Sequence, residues 1–121
     1  MDRNEARQRL ERLRDEFQSS VAEIQGRLAQ PQRETSGDIA ISDQHPADAA
    51  TETAERELDV SREAMFAARV KQIDDAFARL EGGDYGRCVI CNAVIPDERL
   101  AVLPDTPFCV KDAEREQSRA Q

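Results

Sequence analysis

Cys88-Val89-Ile90-Cys91 and Cys109-Val110-Lys111-Asp112 are the two stretches that decide how this chain folds. The first is a C-x2-C knuckle. The second keeps the spacing but ends in aspartate, and 17 residues separate the two. All three cysteines of the chain lie here. Paired knuckles at this separation read as a structural zinc site, because two tight turns can gather four donors round one tetrahedral ion. Zinc then substitutes for a hydrophobic core that about 25 residues cannot build.

Aspartate in the fourth place leaves three outcomes open. They are a Cys3Asp zinc site, three thiolates with water at the fourth position, or a metal-free module held by packing. A carboxylate in place of a thiolate hardens a soft site and should make it more labile. Asn92 follows the second cysteine, where glycine commonly sits, and asparagine tolerates the left-handed conformation needed there. A redox reading of Cys88 and Cys91 lacks the βαβ context of such motifs. A water-activating metal enzyme lacks a second histidine or a nearby base. In a reducing compartment, three cysteines favour metal over disulfide.

Upstream of the knuckles the sequence is helical. Leu10, Leu13, Phe17, Val21, Ile24 and Leu28 recur every three or four residues, a one-sided apolar stripe. Asp2 to Glu5 fits a capping-box variant, and Pro31 ends the pattern. Phe66, Val70, Ile73, Phe77 and Leu80 form a second stripe before the Gly82-Gly83 stop. Ala54, Leu58 and Met65 continue it one position out of phase, which predicts a local stutter. Between the stripes lies a stretch rich in helix breakers, with Asp48 as the expected cap of the second helix.

These signals predict a mainly α fold: a long antiparallel coiled-coil hairpin, a small zinc-finger module at its base and a short C-terminal helix. The expected division is a hairpin over 1–83 and a finger module over 84–121. The hairpin has helix 2–30, an acidic tip loop 31–47 and helix 48–81. Helices of about 30 residues would reach about 45 Å. Residues 84–109 read as turns and short strands.

Composition agrees with an elongated helical protein. Of 121 residues, 35% are charged and only 4% aromatic, too few large apolar groups for a thick core. The net charge of −8 is uneven: residues 1–33 carry +1, 34–59 carry −7 and 60–121 carry −2. No basic patch supports a nucleic-acid footprint, so direct sequence-specific DNA binding is not expected. With no apolar run of signal or membrane length, a cytoplasmic chain without membrane attachment is expected, and a monomer. The acidic excess sits around Asp38, Asp43, His45 and Asp48. Its plain reading is a solvated loop with acids placed well at a helix N-terminus. Its sharper reading is a set of carboxylates carried to a distant site by the hairpin.

Several stretches together resemble the DksA/TraR family of bacterial transcription regulators. They are Asp43-Gln-His-Pro-Ala-Asp48, Ala50-Thr-Glu-Thr-Ala-Glu-Arg-Glu57, Leu80-Glu-Gly-Gly-Asp-Tyr-Gly-Arg-Cys-Val-Ile-Cys91 and Ile95-Pro-Asp-Glu-Arg-Leu100 through Leu103-Pro104 to Cys109. The resemblance covers most of 43–112, and the Gly-Asp-Tyr-Gly-x-Cys-x-x-Cys segment is its most specific part. It implies a coiled coil with a four-cysteine zinc finger at its base. It implies RNA polymerase as partner, with the tip inserted through the secondary channel to destabilise open promoter complexes, often together with ppGpp.

Residue by residue, Asp48 and Ala50 fall on the family's Asp-x-Ala tip motif. The family's other tip aspartate aligns with His45, and Asp43 stands nearby as a substitute. Cys88, Cys91 and Cys109 take three metal positions and Asp112 the fourth. The resemblance therefore implies a non-enzymatic regulator of initiation. The alternative is a coiled-coil adaptor with a degenerate finger and no polymerase activity.

Overall fold

The computed structural model describes residues 1–30 and 46–120, with side chains for all of these except 46–48 and 120. Four helices follow in order: α1 (Arg3–Ala29), α2 (Pro46–Gly82), α3 (Asp97–Val102) and α4 (Val110–Ala120). The fold is mainly α, a coiled-coil hairpin with a finger module, as expected. No described helix is long and apolar enough to cross a membrane. Helix α2 begins at Pro46, two residues before the expected cap. A proline suits the first helical position, where its fixed φ is already helical and its missing N–H has no intrahelical partner to lose.

The chain divides into two compact units, Met1–Glu16 with Arg69–Gln121, and Phe17–Ala68. In the first unit the start of α1 pairs with the end of α2. Ala6, Leu10, Ile73, Ala76 and Leu80 are buried between them. The pairing is antiparallel: Arg7 meets Glu81 at 2.9 Å, while Arg14, farther along α1, meets the earlier residue Asp74 at 3.5 Å. The Arg14 guanidinium also lies over the Phe77 ring, 4.4 Å from its centre, a cation–π contact.

The second unit holds the rest of both helices. Phe17 and Phe66 pack with ring centres 5.4 Å apart, and Ile24 is buried. The α2 seam departs from the expected stutter. Leu58 and Met65 are exposed, at 47% and 66%. The inward positions are instead Phe66, Glu63, Asp59 and Arg56, in phase at intervals of three and four. Asp59 and Arg56 have partners across the pair. Arg27 gives Asp59 two hydrogen bonds, at 2.9 and 3.0 Å. Arg56 donates to the backbone oxygens of Leu28 and Gln30, at 2.8 and 3.3 Å. Those carbonyls close the C-terminal end of α1, where no further intrahelical N–H is available. Capping thus fixes the α2 register where apolar spacing had pointed elsewhere.

The finger region was expected to hold short strands. Among the described residues only an isolated antiparallel bridge, Arg87–Val94, is present, and α3 occupies Asp97–Val102. Pro96 stands at the N-cap of α3, and Asp97 and Glu98 occupy its first turn, where acids meet the positive end of the helix dipole. Leu100 from α3 joins Cys88 and Ile95 in a small core, against which Met1, Tyr85, Phe108 and Cys109 pack.

Candidate metal centre

The first knuckle is a tight turn closed by backbone bonds. Cys88 N–H donates to Ala93 O at 2.8 Å and Asn92 N–H to Cys88 O at 2.9 Å. Asn92 takes a φ of 62°, the left-handed conformation anticipated for it. Gly86, at φ 89°, lets Ile95 N–H reach the Gly86 carbonyl at 2.7 Å. Val89 N–H donates to Pro107 O at 2.9 Å, which draws the knuckle towards the chain before Cys109.

The second half of the site belongs to α4. Cys109 directly precedes the helix, and its carbonyl accepts the first bond, from Ala113 N–H at 2.9 Å. Cys109 and Asp112 therefore stand three residues apart at the helix start. That is the relation a capping box uses to bring a side chain back over the cap. Local helix geometry thus aims both donors at the knuckle.

The four side chains converge. One donor atom from each of Cys88, Cys91, Cys109 and Asp112 lies within 4.8 Å of the others. Asp112 Oδ2 is 3.0 Å from Cys88 Sγ and 3.3 Å from Cys109 Sγ, and the Cys91 and Cys109 sulfurs are 3.8 Å apart. Cys88 and Asp112 are buried, Cys109 is half-buried and Cys91 is exposed. Hydrogen bonds from the thiols, Cys88 first, then Cys91 and Cys109, hold the Asp112 carboxyl below its ordinary range. The backbone at Ala93 pulls Cys91 down, but Asp112, burial and the neighbouring thiols push it up to about 11. Burial and Asp112 push Cys88 up, yet backbone bonds at Cys91, Cys109 and Ile90 bring it below its usual value. Three sulfurs and one carboxylate oxygen in this space are a donor set that a tetrahedral zinc accepts.

Two features beside the site carried no signal in the apolar pattern. Arg115, one turn along α4, lies 3.7 Å from Asp112 Oδ1. Asp105, fully buried, accepts hydrogen bonds from Arg69 and from Gln72, the latter at 2.8 Å. The Leu103-Pro104-Asp105-Thr106-Pro107 run, an acid between two prolines, could have marked a fixed loop. Tyr85 donates to Pro104 O at 2.8 Å, and its burial raises the phenol to about 12.

Of the expected tip residues, Asp43 and His45 lie outside the described residues. Asp48 falls in the first turn of α2, with its backbone alone described, and Ala50 is exposed on the same helix.

Residues 83–117 match the prokaryotic dksA/traR C4-type zinc finger. The chain is 37% identical over 68 residues to the uncharacterized protein YteA of Bacillus subtilis (strain 168), which covers 56% of this chain and 28% of that protein. It is 43% identical over 47 residues to an uncharacterized protein of Aquifex aeolicus (strain VF5), covering 39% of this chain and 32% of that one. The chain thus spans a third or less of these relatives. The structure of transcription factor DksA2 from Pseudomonas aeruginosa matches with a TM-score of 0.72 and 26% identity, over 98% of this chain and 84% of that one. Aspartate takes the place of the fourth cysteine in a finger otherwise of that type, and finger and fold together support the DksA/TraR family as the one this chain resembles.

Proposed function

We propose that this chain regulates transcription initiation by binding RNA polymerase directly, without enzymatic activity of its own, in the bacterial cytoplasm. The likeness to transcription factor DksA2 over nearly the whole chain carries this reading. The family's hairpin enters the polymerase through its secondary channel, and the paired α1 and α2 helices suit the same use. The working end is then the tip, with Asp48, Ala50, Asp43 and His45. Acidic charge concentrated in 34–59 suits a basic channel that leads to catalytic magnesium.

In this reading Cys88, Cys91, Cys109 and Asp112 hold one zinc ion. When bound, zinc supplies structural cross-linking between the first knuckle and the start of α4. The arrangement Asp43-Gln-His-Pro-Ala-Asp48 keeps acidic residues at both ends of the tip segment, with histidine in place of the family's other tip aspartate. The test is Asp48→Asn, assayed for polymerase binding and for the effect on several promoters. Retained binding with lost regulation is the expected result. Unchanged regulation at every promoter, with binding intact, would remove the tip mechanism.

A further inference from the structure

We infer that Arg115 is a positioning residue of the metal site: its guanidinium stands beside one oxygen of Asp112 and biases the carboxylate to offer the metal the other. The inference rests on the reading of Cys88, Cys91, Cys109 and Asp112 as one zinc set.

The two oxygens of Asp112 have different surroundings. Oδ2 faces the sulfurs of Cys88 and Cys109, at 3.0 and 3.3 Å. Oδ1 is the atom 3.7 Å from the Arg115 guanidinium. Both residues lie on α4, three apart, so helix geometry sets their spacing. The Asp112 side chain is 5% exposed and that of Arg115 75%. The guanidinium therefore stands beside the outer edge of a carboxylate whose inner edge faces the thiols. The neighbouring cation Arg119 is engaged with Glu116 at 3.0 Å, which leaves Arg115 as the described α4 arginine directed at Asp112.

This arrangement answers a difficulty that a fourth cysteine would not create. A thiolate presents one donor atom. A carboxylate presents two, and a swinging carboxylate can chelate, exchange oxygens or turn away. A tetrahedral ion already holding three thiolates has room for one oxygen. Attraction of Oδ1 to the guanidinium favours Oδ2 as the donor. Asp112 is the one member of the four that lies within α4, so this corner of the site ties the helix to the knuckle.

The experiment measures zinc affinity of the full chain by competition with a chromophoric chelator. The variants are Arg115→Gln, Arg115→Lys, Asp112→Ala, Asp112→Cys and the double variant Asp112→Cys/Arg115→Gln. Cobalt(II) spectra of the same proteins report the donors directly. Arg115→Gln should weaken zinc about tenfold, at the low end for a partner outside the ligand sphere. It should keep the three-thiolate charge-transfer bands and shift the d–d bands, and Arg115→Lys should recover part of the loss. Beside Cys at 112, the same Arg115→Gln change should alter affinity by less than about twofold, because no carboxylate remains to be held. Equal affinity for Arg115→Gln and the unaltered chain, or an equal loss in both backgrounds, would overturn the role of Arg115. Unaltered affinity in Asp112→Ala would instead overturn the ligand set on which it rests.

Discussion

The Arg69 guanidinium donates two hydrogen bonds to the fully buried carboxylate of Asp105, one of them 2.8 Å long. Gln72 donates a third at 2.8 Å, and Arg79 approaches the Asp105 and Thr106 carbonyls at 3.5 Å. A loop between two prolines is in this way tied to three residues on α2. The same hydrogen bonds raise the Arg69 guanidinium above its usual value. A buried charge is tolerated only when paired, and removing its partner leaves the other uncompensated. Asp105→Ala is expected to cost about 3 kcal/mol, read as a lower urea midpoint at unchanged slope. A loss below about 0.5 kcal/mol, the range of ordinary surface changes, would mean that this cluster does not hold the loop.

Apolar residues that share a helix should respond oppositely according to where they face. Leu10 and Ile73 are fully buried, while Met65 is 66% exposed. Leu10→Ala or Ile73→Ala should cost about 2–5 kcal/mol through lost burial and the cavity left behind. Met65→Gln should stay within about 0.5 kcal/mol. Thermal unfolding of the three variants checks both. A large loss in Met65→Gln would restore the out-of-phase stripe.

That contrast shows where the sequence was readable. The α1 stripe from Leu10 to Leu28 and the α2 stripe from Phe66 to Leu80 follow from spacing alone, because burial repeats with the helix turn. The upper α2 seam does not. Its inward residues Arg56 and Asp59 are charged, and they face inward because Arg27 and the last carbonyls of α1 supply partners. Such pairings depend on the opposite helix, so neither sequence segment announces them. Helix α3 was hidden for a different reason. Six residues hold too little periodicity to outweigh the turn signal of Pro96. The convergence of Cys88, Cys91, Cys109 and Asp112 was legible as a spacing pattern. Arg115 was not, since an exposed arginine on a polar helix is ordinary until the orientation of Asp112 is known.

Zinc binding should strengthen as pH rises. The Cys91 thiol, held up at about 11, is protonated near neutrality in the metal-free chain. Asp112, held down by its thiol neighbours, is already ionised there. Metal must therefore displace thiol protons and no carboxyl proton. Apparent affinity should rise about tenfold per pH unit for each proton displaced, and fall as acid restores the thiols. Chelator competition between about pH 6 and 8, with proton release followed in weak buffer, measures the slope. Affinity independent of pH would contradict thiolate ligation.

The exposed side of the tip should matter to regulation and leave stability unaffected. Ala50 is exposed on α2, so Ala50→Thr should leave thermal unfolding within about 4 °C of the unaltered chain, with polymerase binding intact and promoter effects reduced. A marked loss of stability would place this residue in a packing role.

The most direct test is the lifetime of open complexes formed by purified bacterial RNA polymerase, measured with and without this protein. The unaltered chain should shorten that lifetime, and Asp48→Asn should bind polymerase equally well without shortening it. Unchanged lifetimes together with no detectable binding of polymerase by the unaltered chain would contradict the account.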